Sequence, residues 1–198
     1  MRSTALLSAA AMLALAACAD TGPTQPLAPT AAALDVGGYQ GTQVDPRGRP
    51  IRMDMTIGQD FSQGTCDVEV PTGDPENPTM LVQIPRLAPA WGTASHMGRV
   101  RQEIWHDDCG FALRDGLPVI EFGGHFQAWA ADGAGTEGTW SGYMLLAGEQ
   151  AGYFFNTAVI TGGTRRFENA SGDLVIRGWN NLGGGTPGWY TAEGTIYY

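Results

Sequence analysis

Pro118-Val119-Ile120-Glu121-Phe122-Gly123-Gly124-His125-Phe126-Gln127-Ala128-Trp129-Ala130-Ala131 is the stretch that decides the fold. Ile120, Phe122, Phe126, Ala128 and Ala130 take the even positions; Glu121, His125 and Gln127 take odd ones. Neighbouring side chains of a strand point to opposite faces, so the even set faces a core and the odd set faces water. Asp132-Gly133 follows, a pair suited to a tight hairpin turn. Thr136 to Ala147 then returns with Trp140, Met144 and Leu146 on one face.

The same pattern extends in both directions. Gly148-Glu149-Gln150 marks a turn before a strand over Gly152 to Thr161, and Asp173 to Trp179 and Trp189 to Tyr197 follow. Upstream, Ile51–Ile57, Met80–Leu87 and Thr93–Trp105 bring the count to about eight. No stretch of useful length has helical periodicity beyond the N-terminal segment. Gly98, Gly124, Gly142, Gly178 and Gly194 interrupt otherwise good strands, which is unfavourable unless the backbone must bend. Closing a small barrel demands such bends. The expected fold is therefore all-β, a closed antiparallel barrel of about eight strands, with a β-sandwich as the alternative.

The N-terminus has one charge, Arg2, and an apolar run from Ala5 to Ala17 broken only by Ser8. This is the pattern of a secretory signal, too short for a hydrocarbon core that needs about 20 apolar residues. It ends Leu15-Ala16-Ala17-Cys18, which resembles the lipobox of bacterial lipoproteins. That resemblance implies a signal peptide over 1–17, cleavage before Cys18, and diacylglycerol plus a further acyl chain on that cysteine. Ala19 stands where an Asp would favour retention at the inner membrane, so the implied location is the outer membrane. Pro23, Pro26 and Pro29 punctuate a Thr- and Ala-rich stretch, and residues 18–36 read as the lipidated cysteine and a disordered tether. The remainder, 37–198, is the barrel domain.

Cleavage leaves 20 acidic and 10 basic residues, all of the latter Arg, since the chain contains no lysine. An acidic chain without a basic run is a poor partner for nucleic acid. The missing lysine also excludes a Walker P-loop and Schiff-base chemistry. Cys66 and Cys109 are the cysteines left after Cys18, and an even pair in an exported chain reads as a disulfide. The alternative, a thiol nucleophile or metal ligand, lacks a C-x-x-C spacing. The bond would close a loop of roughly 40 residues and contribute about 3–4 kcal/mol.

Gly162-Gly163-Thr164-Arg165-Arg166-Phe167-Glu168-Asn169-Ala170-Ser171-Gly172 resembles a glycine-rich segment of the allene oxide cyclase and dirigent superfamily of β-barrels. Gly92 to Arg99, with Ser95-His96-Met97-Gly98, is similar to a segment of exported bacterial barrels of that type. Arg165 stands where the family usually has Gly, which would strain the backbone if that position requires φ > 0. The resemblance implies the fold and, through the plant relatives, cyclisation of a fatty-acid epoxide or steering of phenol coupling. None of their functional residues has a local match here.

His96 shares a face with Ala94, Gly98, Val100 and Ile104, so it is expected inside. Together with Phe126 and Trp140 it is a candidate for lining a pocket in which one polar group orients an apolar guest. His106-Asp107-Asp108 reads as a solvated loop, and Glu121 and His125 lie about 13 Å apart along one strand, too far to share a metal ion. No catalytic set, metal site or cofactor is implied, and the oligomeric state is open. Three readings follow: a membrane-anchored barrel binding a small apolar or aromatic molecule, an envelope interaction module with a packed interior, or a cyclase- or isomerase-like enzyme.

Overall fold

The computed structural model of the chain describes residues 48–181 and 185–198. The expected signal peptide, Cys18, the expected tether and residues 37–47 of the expected barrel domain lie outside the described residues.

Nine strands form one antiparallel sheet: β1 (Arg49–Ile57), β2 (Asp60–Pro71), β3 (Thr79–Ala94), β4 (Gly98–Arg114), β5 (Leu117–Ala130), β6 (Gly135–Leu145), β7 (Tyr153–Thr164), β8 (Ser171–Trp179) and β9 (Gly188–Tyr197). β1 pairs with β9 on one side and with β3 on the other, so eight strands close into a ring. Closure makes the domain a barrel and removes the sandwich alternative. β2 stands outside the ring and prolongs the path of β1 along β3: Ile57 lies opposite Ala90, and Asp60 opposite Leu87.

The alternation of β5 holds as written in the sequence. Ile120, Phe122, Phe126, Ala128 and Ala130 are buried, while Gln127 is exposed and Glu121 half-buried. Each inward Ile or Phe contributes roughly 1.5–3 kcal/mol through burial. The β5–β6 turn forms at Asp132-Gly133, where Gly133 takes φ 78° and its N–H donates to the Ala130 carbonyl at 3.0 Å.

Several expectations need correction. Thr93–Trp105 is not one strand but the end of β3, a turn at Ser95-His96-Met97, and the start of β4. The turn places positive φ on His96, at 66°, and on Gly98, at 70°. Gly98 thus serves a hairpin, not a bend. His106-Asp107-Asp108 is not a loop: β4 runs through it with a bulge between His106 and Asp108. β2 was not anticipated, because only Cys66, Val68 and Val70 carry its apolar face, alternating with Asp67 and Glu69.

Cys66 and Cys109 form a disulfide with their Cα atoms 6.2 Å apart. β3 and β4 stop pairing beyond Leu87 and Trp105, so the bond ties β2 to β4 where the ladder between their neighbours has ended. Arg86 spans the same gap, donating from Nη1 to the carbonyls of His106 at 3.1 Å and Asp107 at 2.8 Å.

Antiparallel succession puts the turns at 95–97, 131–134 and 165–170, the start of β1 and Tyr198 at one end of the barrel. That end is closed. Phe167, in a 3-10 turn over Arg165–Phe167, is fully buried, with Met97, Ala134 and Ala170 also buried. Tyr198 packs edge-on against Phe167, ring centroids 4.7 Å apart. The glycine-rich segment therefore forms a plug. Gly162, Gly163 and Thr164 belong to β7, and the turn begins after them. At Gly163 a Cβ would lie 2.1 Å from the Gly135 carbonyl oxygen, so only glycine permits the strands this approach.

Candidate functional site

Opposite the plug the described residues leave the barrel open. A cavity runs inward from the rim at Gln59, Gln83, Asn180 and Asn181, and its free space is about 70 Å³. One water needs roughly 10–15 Å³ and an apolar cavity that takes up benzene about 150 Å³, so the space holds several waters as it stands and a single-ring guest requires the lining side chains to give way. Its walls come from every strand of the ring, with Phe122, Phe126, Trp140, Met144 and Phe154 supplying the large apolar surfaces.

Glycines facing inward shape this space. The Phe126 ring lies across Gly138, where a Cβ would come within 2.9 Å of it. At Gly142 a Cβ would fall 2.0 Å from Oδ1 of Asn156, so the Asn156 amide occupies the room that a side chain there would take. Asn156 and Gly142 are paired across β6 and β7.

His106 projects from β4 into this interior. Its ring stands edge-on to Trp140, centroids 5.1 Å apart, and to Phe122 at 5.7 Å. Nδ1 is sealed and has no hydrogen-bond partner. With Nδ1 unpartnered, the ring proton is assigned to Nε2, the nitrogen left to interact with the Pro85 carbonyl. Burial is the main influence on its basicity, assisted by Arg86 and opposed by the Pro85 carbonyl and Asp107; the pKa falls from 6.5 to about 4. A neutral ring with an unused acceptor at Nδ1 is the result.

Two further polar groups meet deeper inside. The Tyr190 hydroxyl donates to Oε1 of Gln102 at 2.5 Å, and both residues are buried. Burial pushes the Tyr190 phenol well above its usual range, keeping its proton in place. Trp140 Nε1 donates to the Trp105 carbonyl at 3.2 Å, so its N–H is already committed.

Of the three pocket candidates from the sequence, Phe126 and Trp140 line the cavity and His96 does not. His96 is exposed at the closed end, where its Nε2 lies 3.0 Å from the Pro50 carbonyl oxygen. The turn carried it out of the strand that would have buried it. His106, Gln102, Asn156 and Tyr190 were not singled out. Their signal was parity: Val100, Gln102, Ile104 and His106 share one face of β4, and reading 106–108 as a loop cut that face short.

On the outside, His125 Nδ1 meets Asp107 Oδ2 at 2.8 Å and its ring stacks on Trp105. This pair is exposed and faces away from the cavity. Among the described residues no group of three or more His, Cys, Asp and Glu gathers where it could hold a metal ion. No known protein family, curated protein or solved structure matches the chain.

Proposed function

We propose that the protein is a lipid-anchored lipoprotein of the bacterial envelope, related to the allene oxide cyclase and dirigent barrels, that binds a small apolar or aromatic molecule. The observation that carries the binding reading is the cavity, aromatic-walled, open at one rim and plugged at the other. The anchor rests on Leu15 to Cys18, and residence at the outer membrane on Ala19.

A second reading, a cyclase- or isomerase-like enzyme, draws on His106, a titratable group inside the cavity with altered basicity. Binding is favoured over it because His106 is a weak base near neutral pH and Tyr190 holds its proton against Gln102. Neither is poised to exchange protons at pH 7.

The test is native mass spectrometry of the mature chain exported to a periplasm. A non-covalent adduct of one small organic molecule, released by denaturation and reduced by Phe126→Trp, is the expected result. A chain that carries no adduct and takes up no apolar probe added in excess overturns the binding reading.

A further inference from the structure

All the polar groups that line the cavity are uncharged. Its described lining holds Gln, Asn, Thr, Tyr and His side chains and no Asp, Glu or Arg. The two titratable members, His106 and Tyr190, are both held neutral by burial. A charged guest would leave water and find no counter-charge, a transfer that proteins avoid unless the ion is paired.

Among the described residues, two sealed side-chain atoms have no hydrogen-bond partner, His106 Nδ1 and Asn156 Oδ1, and both belong to residues lining this cavity. Both are acceptors. Buried acceptors are ordinarily satisfied, and leaving them bare is unfavourable. Each is closed to water where it stands, so a donor reaches it only after a small rotation of the ring or amide. The nearby indole N–H of Trp140 cannot serve, being bonded to Trp105.

We propose that the cavity selects an uncharged guest with an apolar body and a hydrogen-bond donor, an O–H or N–H, received by His106 and Asn156. This rests on the binding reading above and deepens it. Carboxylates and phosphates are excluded by the missing counter-charge, and ethers or hydrocarbons of equal shape are disfavoured because they leave both acceptors bare.

The experiment uses the mature chain bearing Cys18→Ser, which needs no detergent, and three probes at pH 7: cyclohexanol, methoxycyclohexane and cyclohexanecarboxylate. Calorimetric titration should show the alcohol binding about tenfold or more tightly than the ether, and the carboxylate not at all. His106→Phe and Asn156→Leu should each shrink the alcohol-over-ether preference, with folding verified by thermal unfolding. If alcohol and ether bind equally, or if the carboxylate binds best, the donor inference is overturned and the binding reading stands. If none of the three binds, both fall. Should one variant fail to fold, the other variant and the wild-type probe series still decide.

Discussion

Arg165 Nη1 donates to the backbone carbonyl of Asp132 at 2.5 Å, across the closed end of the barrel. Arg165 itself takes φ 56°, a left-handed conformation that non-glycine residues rarely adopt. The side chain thus holds the neighbouring β5–β6 turn while its backbone bears the strain of the plug. Arg166 reinforces the same turn through an ion pair with Asp132 and donates from Nη2 to the His96 carbonyl at 3.3 Å.

Arg165 therefore contributes two opposing effects that substitution separates. Arg165→Ala keeps the left-handed strain and deletes the hydrogen bond to Asp132, so it should destabilise by about 1–2 kcal/mol. Arg165→Gly removes both and should lie about 1 kcal/mol above the alanine variant, close to wild type. Urea unfolding of the three proteins gives the order; glycine falling below alanine would mean that strain is not what this position bears.

The sequence made the barrel legible where two-residue alternation is long and its turn is chemically marked, as in β5, Asp132-Gly133 and β6. It was least legible where positive φ fell on an ordinary residue. His96 carries no turn chemistry of the Asn-Gly kind, so the β3–β4 hairpin was hidden inside an apparent strand. The site suffered from the same cause. His106 sits beside two aspartates, and local polarity outweighed the parity that points it inward, although Asp107 and Asp108 are accommodated by a bulge and remain exposed. Which inward residues leave a void depends on strand pairing across the ring, and spacing within one strand does not encode it.

The disulfide should act locally as well as globally. Replacing Cys66 and Cys109 together by Ser is expected to lower stability by about 2–5 kcal/mol. Because β2 lies outside the ring and, among the described residues, pairs only with β3, lost hydrogen-exchange protection should concentrate over Asp60–Pro71. Uniform loss across all strands would show that β2 is integral to the ring's stability.

Orientation of β5 is open to a direct comparison. Phe126 is 4% exposed and its neighbour Gln127 faces water. Phe126→Ala should destabilise by about 3 kcal/mol, toward the lower end for a large buried ring because one side already borders a void. Gln127→Ala should stay within about 0.5 kcal/mol of wild type. Should Gln127→Ala be the more damaging, the face assignment of the strand would be inverted.

Membrane attachment follows from Cys18 alone if the lipobox reading holds. Cys18→Ser should abolish incorporation of labelled palmitate and release the chain into the soluble envelope fraction, since several acyl chains are needed for firm anchoring. Equal labelling of wild type and variant, or none in either, would remove the lipoprotein proposal.

His106 links the cavity to the pH dependence of folding. Its pKa is lowered from 6.5 to about 4 by burial, so the unfolded chain binds a proton between these values that the folded chain refuses. Stability therefore rises with pH across that window: it is complete above about 6.5, falls as the medium is acidified, and the loss levels off below about 4. The full difference is on the order of 3 kcal/mol. Carboxylates protonate in the lower part of the same range, so the measurement must be differential. From pH 7.5 to 4 the unfolding free energy of wild type should fall by on the order of 3 kcal/mol more than that of His106→Phe, because the phenylalanine has no proton to bind. Parallel curves would show that the imidazole is solvated in the folded protein and that the cavity does not hold it neutral.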